Sequence, residues 1–430
     1  MTNLNKDINI PVLARVEGEG ALSLKIRDDK ISLIQLLIYE PPRLFEKFLE
    51  GREPNEVVDA VARICGICPV AYQMSAVHAI EQIFEIEPTA WVRDMRRLFY
   101  CGEWMESHGI HVHMLAAPDF LGYSSVIEMA KDYPEIVKRG MRLHALGNEL
   151  MSLLGKRSVH PVGACVGGFF HAPKINEVKK LLARFEENLS LAEELVRWST
   201  SLPFPDNAQN FIYVSLRHSD EYPMNEGRIV SNKGLDIDIS EFEQYFKESQ
   251  VPYSTALHCC LLDDAYLVGP LARVNLNYDL LPRQIKKLMD QTSIQFPSNN
   301  MFHSIVARCI EIHYSMLEAI RIMETYVYPE KPHASVTPKS GIGFGCTEAP
   351  RGILWHRYEF TSDGLVKSSR IVPPTSQNQG RIEKDLRQSL ETYGLHHSDE
   401  ELRLQSEMII RNYDPCISCS THFLKIKVDR

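Results

Sequence analysis

The sequence predicts an α+β protein that is mainly helical, with small antiparallel β elements at its edge. Apolar and polar residues alternate over short stretches only, as in strands, and one such region lies near the N-terminus. Six longer segments show the apolar periodicity of helices instead. No repeat, low-complexity tract or clear linker divides the 430 residues, so we expect one large body.

The β region is predicted at about residues 8–40. Leu22, Leu24 and Ile26 alternate along one strand, a turn is expected at Asp28, and a second strand-like run follows. The predicted helices are Glu56–Arg63, Pro69–Phe84, Trp91–Met114, Glu135–Leu154, Asn176–Ser199 and Phe302–Met323. Glycine, aromatic and β-branched residues indicate strands or irregular structure in three later stretches: 211–233, 254–267 and 341–374.

The composition excludes several classes of protein. Hydrophobic residues make up 44% and charged residues 24%, which is typical of a folded globular chain rather than a disordered one. The net charge of −9 argues against binding to nucleic acid. No apolar run has the length of a membrane span, and the N-terminus lacks the apolar stretch of a secretory signal. We therefore expect a soluble, cytoplasmic protein.

Two of the cysteine positions form C-x-x-C pairs, Cys65 with Cys68 and Cys416 with Cys419. Each pair can direct two thiolates at one metal ion, and a complete thiolate site needs four. A zinc ribbon usually closes its second pair within about 15–20 residues, whereas these pairs lie far apart, so a zinc clip is only an alternative. The six other cysteines are interpreted as small buried apolar residues, because cytosolic thiols are kept reduced.

Together with three further segments, these pairs resemble the signature of the large, catalytic subunit of nickel–iron hydrogenases. The family motif R-x-C-G-x-C stands at Arg63–Cys68, and D-P-C-x-x-C-x-x-H stands at Asp414–His422. Arg15–Gly18 matches R-x-E-G, Glu348–Gly352 matches E-A-P-R-G, and Val372–Ser376 is similar to a V-P motif with two hydroxyl residues. The motifs occur in the family's order over nearly the whole chain.

The resemblance implies the family's large-subunit fold, with a central helix bundle and small peripheral antiparallel β elements, and reversible heterolytic cleavage of H2. It implies that Cys65 and Cys416 are terminal nickel ligands, and that Cys68 and Cys419 bridge nickel to an iron. Carbon monoxide and two cyanides are the other iron ligands in the family. Four soft thiolates suit nickel.

Further site residues follow from the same resemblance. Glu17 matches the family's proton gate, since a carboxylic acid beside a thiolate can relay a proton. Arg351 and the hydroxyl groups of Thr375 and Ser376 match positions that face the cyanides, and a guanidinium is a permanently charged planar donor. The implied catalytic residues are thus Glu17, Arg351 and Cys416.

The remaining implied residues lie further from the nickel. Glu46, the carbonyl of Ile371 and His422 would hold a magnesium or iron ion, although such a ligand set is not diagnostic. Asp119 and Asp414 resemble acids near the site.

Tyr72 is a departure from the family pattern, because many members have a histidine there. A phenol can donate a hydrogen bond to a bridging sulfur but cannot carry the charge of an imidazolium.

The sequence also indicates which partners are needed. The other cysteines lack the spacing of an iron–sulfur cluster, and there is no G-x-G-x-x-G motif, so electrons must leave through another chain. The resemblance implies diaphorase subunits with flavin and iron–sulfur clusters, together with an iron–sulfur small subunit. It favours NADP as the final acceptor and leaves NAD-, deazaflavin- and heterodisulfide-reductase-linked types open. The related quinone-site subunit of respiratory complex I lacks the four metal cysteines, and a zinc-stapled binding protein is the non-enzymatic alternative.

Eight residues follow His422 at the C-terminus. In most of the family a peptide after this histidine is removed by a dedicated endopeptidase after maturation proteins have loaded nickel. Two lysines, an aspartate and an arginine make the tail costly to bury unpaired. We therefore expect a single large-subunit domain over residues 1–422 and removal of the tail 423–430.

Overall fold

The structure is a computed structural model that describes residues 4–421. The helices are α1 (Phe45–Phe48), α2 (Pro54–Val61), α3 (Pro69–Phe84), α4 (Ala90–Ile110), α5 (Ala117–Leu121), α6 (Val126–Asp132), α7 (Pro134–Gly155), α8 (Ile175–Ser199), α9 (Phe242–Tyr245), α10 (Pro270–Asn277), α11 (Arg283–Met289), α12 (Ser304–Glu324), α13 (Pro374–Tyr393), α14 (Asp399–Asn412) and α15 (Ile417–Ser420). A π-helical turn, His111–Ala116, follows α4.

The strands pair antiparallel in small sheets. They are β1 (Lys6–Ile10), β2 (Gly20–Arg27) and β3 (Lys30–Ile38) in the first sheet, β4 (Ala164–Cys165) and β5 (Gly168–Phe169) in the second, β6 (Val214–Arg217), β7 (Arg228–Ser231) and β8 (Asp236–Ile237) in the third, β9 (Phe246–Gln250) and β10 (Leu257–Leu261) in the fourth, and β11 (Gly341–Ala349), β12 (Gly352–Phe360) and β13 (Val366–Val372) in the fifth. The predicted fold class is confirmed.

A bundle of long helices forms the centre of the protein. Helix α4 packs against α7 and α12, and α8 packs against both α7 and α12. The backbones of α4 and α7 come unusually close, because a Cβ on Gly147 would lie 2.6 Å from the carbonyl oxygen of Gly102. No helix within residues 4–421 is long and apolar enough to cross a membrane.

The N-terminal sheet agrees with its predicted pattern. Leu22, Leu24 and Ile26 are buried, and Asp28 has a left-handed backbone conformation in the turn between β2 and β3. This sheet packs against α13 and α14. The segment between β1 and β2 is thereby held next to the C-terminal cysteine pair.

Helices α13 and α14 and strand β1 were not predicted from the pattern of apolar residues. In α13 the reason is visible, because amide side chains occupy its buried face. Asn378 accepts from the amide of Val268 at 3.0 Å, and Gln377 donates to the carbonyl of Ile353 at 2.7 Å. A helix that buries hydrogen-bonded polar groups has no apolar periodicity to detect.

Candidate metal centre

The two cysteine pairs meet in the interior of the protein. Cys65 and Cys68 lie between α2 and α3, and Cys416 and Cys419 lie just before and within α15. Their four sulfur atoms all lie within 4.8 Å of one another. The Sγ atoms of Cys65 and Cys416 are 3.5 Å apart, as are those of Cys68 and Cys419, and Cys416 and Cys419 are 2.7 Å apart. All four are buried, and none is in a disulfide.

Arg43 ties the loops of the two pairs together. Its backbone amide donates to the carbonyl of Thr421 at 2.8 Å. Its Nη2 donates to the carbonyl of Ile64 at 2.7 Å and also to the carbonyl of Ser418. One guanidinium thus bridges the residue before Cys65 and the residue before Cys419.

The cluster stabilises negative charge on one sulfur. The backbone amides of Ile67 and Cys68 donate to Sγ of Cys65 at 3.3 and 3.2 Å. Burial raises the pKa of the Cys65 thiol, but hydrogen bonds from the other three cysteines and the charge of Arg351 outweigh it and hold the pKa well below its usual value. Burial raises the pKa of Cys68 and Cys416 well above theirs. Four thiolates together therefore require a bound cation, and the donor set fits a soft metal.

A buried ion pair borders the cluster. Arg351 donates from Nε to the carbonyl of Asp414 at 2.6 Å and from Nη2 to its carboxylate at 3.0 Å, and Nη1 donates to Ser107 at 3.3 Å. Burial works against both charges, but the carboxylate raises the pKa of Arg351 and the guanidinium lowers that of Asp414. Asp414 has φ 52°, a left-handed conformation that turns the chain into the cysteine pair.

A second set of buried charges fixes the segment that carries Arg351. Arg273 donates to the carboxylate of Glu348 at 2.6 Å and to the carbonyl of Ala349 at 2.9 Å. The same guanidinium makes two bonds of 2.7 Å to Glu311. All three charged side chains are inaccessible to solvent. Sequence reasoning missed Arg273 and Glu311, which lie in helices without a motif.

Glu17 lies directly beside the C-terminal cysteine pair. Its carbonyl accepts from the amide of Ile417 at 3.1 Å, and its Oε2 accepts from the amide of Ser418 at 3.1 Å. Burial, followed by the charge of Cys65, raises the pKa of Glu17. Gly18 makes the approach possible, since it has φ 85° and a Cβ there would lie 2.7 Å from that of Ile417.

The predicted hydroxyl residues are also at the cluster. Thr375 Oγ1 accepts from the amide of Cys416 at 3.0 Å. The hydroxyl of Ser376 is buried and has no hydrogen-bond partner among residues 4–421. Tyr72, one turn after Cys68, is 1% exposed. Its pKa is raised well above the usual value by burial and then by the charges of Cys419 and Cys68.

Asp119 lies in a neighbouring ion cluster rather than against the sulfur atoms. It accepts from Arg411 at 2.7 and 2.9 Å and from Arg15. This cluster connects the segment before β2, helix α5 and helix α14. Asp119 therefore contributes to the position of the chain on both sides of the site.

The predicted cation ligands are partly together. Glu46 Oε1 accepts from the backbone amide of Ile371 at 2.7 Å, so the carboxylate and this backbone segment are adjacent. His422 and the tail 423–430 lie outside the described residues.

Two acids on α4 were not anticipated from the sequence. Glu103 accepts from the amides of Val70 and Ala71, at 2.5 and 3.1 Å, and so binds the N-terminal end of α3 directly after Cys68. Glu106 is buried one turn later. Glutamates at this spacing on a helix whose other residues are largely apolar were the available signal.

Comparison with known proteins identifies the class. Residues 43–144 and 240–422 match the family profile described as Nickel-dependent hydrogenase. The alpha subunit of sulfhydrogenase 1 from Pyrococcus furiosus is 32% identical over 432 residues, covering 99% of this chain and 100% of the relative. A subunit of the F420-non-reducing hydrogenase from Methanothermobacter marburgensis is 29% identical over 445 residues, covering 95% and 93%. The crystal structure of an NAD+-reducing NiFe-hydrogenase in the H2-reduced state has a TM-score of 0.87 at 25% identity and covers 98% of this chain and 100% of that chain.

The chain therefore belongs to the nickel-dependent hydrogenase family. It is a large subunit of this class of oxidoreductase, and the four clustered cysteines are able to bind a metal. The family resemblance inferred from the motifs is confirmed.

Proposed function

We propose that the four cysteines hold a nickel–iron centre. Cys65 and Cys416 are the terminal nickel ligands in this proposal, and Cys68 and Cys419 also bind iron. The convergence of four buried sulfur atoms in one cluster is the observation that carries it. When bound, such a centre supplies a soft acceptor for the hydride of H2.

Carbon monoxide and two cyanides complete the iron ligands in this proposal. Ser376 supports it, because its buried hydroxyl is free to donate within the described chain. Thr375 lies one residue earlier and contacts Cys416. Arg351 would direct its charge at the same anionic ligands, held in place by Asp414.

Glu17 is the residue we propose to move the proton. Its carboxylate is held at Ser418, between the two C-terminal cysteines, and is within reach of the cluster. Burial of the cysteines keeps bulk water away, so a proton leaves through a positioned side chain. Tyr72 and Asp414 lie beside the cluster and contribute to its electrostatic environment.

A magnesium or iron ion is proposed at Glu46, the carbonyl of Ile371 and His422. The adjacency of Glu46 to the backbone of Ile371 supports this assignment, since a hard cation prefers oxygen ligands.

Electrons are proposed to pass to an iron–sulfur small subunit, then to flavin- and iron–sulfur-containing diaphorase subunits. The motif resemblance favours NADP as the acceptor. NAD is the second candidate, because a solved structure similar to this chain is of an NAD+-reducing enzyme.

The purified complex is expected to reduce NADP+ with H2 faster than NAD+. Absorbance of the reduced nicotinamide measures both rates, and a viologen dye serves as the control acceptor. Faster reduction of NAD+ would select the second candidate. Dye reduction without reduction of either nicotinamide would contradict both acceptors and leave the hydrogenase activity intact.

Maturation is proposed to end the chain at His422, through an endopeptidase that acts after the maturation proteins have loaded nickel. Intact-mass spectrometry of the active large subunit should therefore give the mass of residues 1–422, apart from processing at the N-terminus. A fully active protein that retains Phe423–Arg430 would contradict the cleavage but not the metal assignment.

A further inference from the structure

We infer that Glu106 and His144 form a second route for protons, which leads from the cysteine cluster through the interface of α4 and α7 to the surface. The inference rests on the proposed function, because it concerns the proton that H2 cleavage releases. Glu17 lies on the segment that contacts α15, whereas Glu106 lies on a bundle helix. The two acids therefore approach the cluster on different elements.

Close helix packing brings His144 against Glu106. A Cβ on Gly147 of α7 would lie 2.7 Å from the amide nitrogen of Glu106, so a residue with a side chain would force the helices apart. About one turn earlier on α7, Nδ1 of His144 lies 3.2 Å from the carbonyl oxygen of Glu106 and 3.8 Å from its Oε1.

The carboxyl group of Glu106 is buried but has no visible structural task. The residue is 9% exposed, and its Oε2 has no hydrogen-bond partner in the described part of the chain. Glu103, one turn earlier, differs because its oxygens accept from the amides of Val70 and Ala71. A buried polar atom without a partner costs free energy, so its presence here points to a role other than packing.

The groups that face Glu106 connect it to the site. Cys65, Arg351 and Asp414 act on it electrostatically from the cysteine side. Glu103 acts on it along α4, and His144 faces it from α7. Burial raises the pKa of Glu106 to about 8 despite the opposing charge of Arg351. Such an acid can bind and release a proton near neutral pH.

The outer end of the route is accessible to solvent. The side chain of His144 is 26% exposed. Asn148 donates to Nε2 of His144 at 2.8 Å and lines a surface groove of about 480 Å³. The ring proton is consequently on Nδ1 in this arrangement.

The transfer moves one proton and no electrons. Glu106 makes no hydrogen bond to a cysteine within residues 4–421, so the proton crosses from the Cys65 side to its carboxylate through water. When Asn148 turns its oxygen toward Nε2–H, Nδ1 of His144 has a lone pair and takes the proton of Glu106. The imidazolium then releases its Nε2 proton to solvent, and solvent exchange at the ring restores the starting tautomer.

Infrared spectroscopy tests the state of Glu106 without relying on turnover. The protein should show a protonated carboxyl band at neutral pH that titrates near pH 8 and is missing from Glu106→Gln. Comparison of the two proteins separates this band from that of Glu103. A Glu106 that is ionised at neutral pH would contradict the inference.

Isotope exchange between D2 and water tests the route itself in the purified complex. Glu106→Gln should keep its nickel, lower the exchange rate at least about threefold, and remove the exchange that remains in Glu17→Gln. His144→Gln should lower exchange in the same direction, and added imidazole should restore it, which a purely structural role would not allow. Glu149→Gln, on the neighbouring groove surface, is the matched control and should leave exchange unchanged.

Normal exchange in Glu106→Gln with full nickel, in both backgrounds, would overturn the route while the proposed function stands. If Glu106→Gln lost its nickel or its fold, His144→Gln with and without imidazole would decide the question. A complex without nickel and without H2 activity would contradict the proposed function instead.

Discussion

Replacing Cys416 by serine is expected to remove nickel from the large subunit. A serine hydroxyl is a harder, far less acidic donor than a thiol, and Cys416 is buried within 3.5 Å of Cys65 and 2.7 Å of Cys419, so no other side chain can substitute for it. Elemental analysis of the purified complex should fall from about one nickel per large subunit to almost none. The same loss, or failure to assemble, is expected for Cys65, Cys68 and Cys419.

Cys260→Ser provides the matched control for this substitution. Cys260 is partly exposed on β10 and lies outside the cluster, so its serine variant should keep nickel and activity. A Cys416→Ser protein that has normal nickel and full activity would contradict the ligand assignment.

Replacing Glu17 by glutamine is expected to leave the centre assembled but to slow proton movement. The amide keeps the shape of the side chain, and its oxygen can still accept from the amide of Ser418, but it has no exchangeable acid proton. H2/D2 exchange and turnover should fall by about two orders of magnitude or more, with nickel unchanged.

Glu19→Gln is the control for the charge change. Glu19 is exposed two residues further on, and this substitution should alter exchange little. Unchanged exchange in Glu17→Gln would move the proton gate elsewhere, with the surroundings of Cys419 and Asp414 as the next candidates.

The sequence predicted those features that a local pattern determines. Pro69–Phe84 is helical over the predicted residues, with Pro69 in the first turn, and Leu22, Leu24 and Ile26 share a buried strand face. The two C-x-x-C pairs predicted a shared site although they lie at opposite ends of the chain, because only the family's motif order links them.

Other features depend on tertiary contacts that no local pattern records. Helix α13 has polar residues on its buried face, and Asn378 is satisfied by the backbone of Val268, more than a hundred residues away. Asp119 was expected near the metal, but its partners are Arg15 and Arg411. Glu106 belongs to no motif, and its environment arises only when α4 and α7 pack.

The most direct test of the central claim is X-ray absorption at the nickel edge of the purified, active complex. We expect nickel bound predominantly by sulfur, with an iron neighbour, and the loss of this signal in Cys65→Ser and Cys416→Ser. Zinc in place of nickel, or nickel surrounded by nitrogen and oxygen with all four cysteines intact, would contradict the assignment of Cys65, Cys68, Cys416 and Cys419 as the metal ligands.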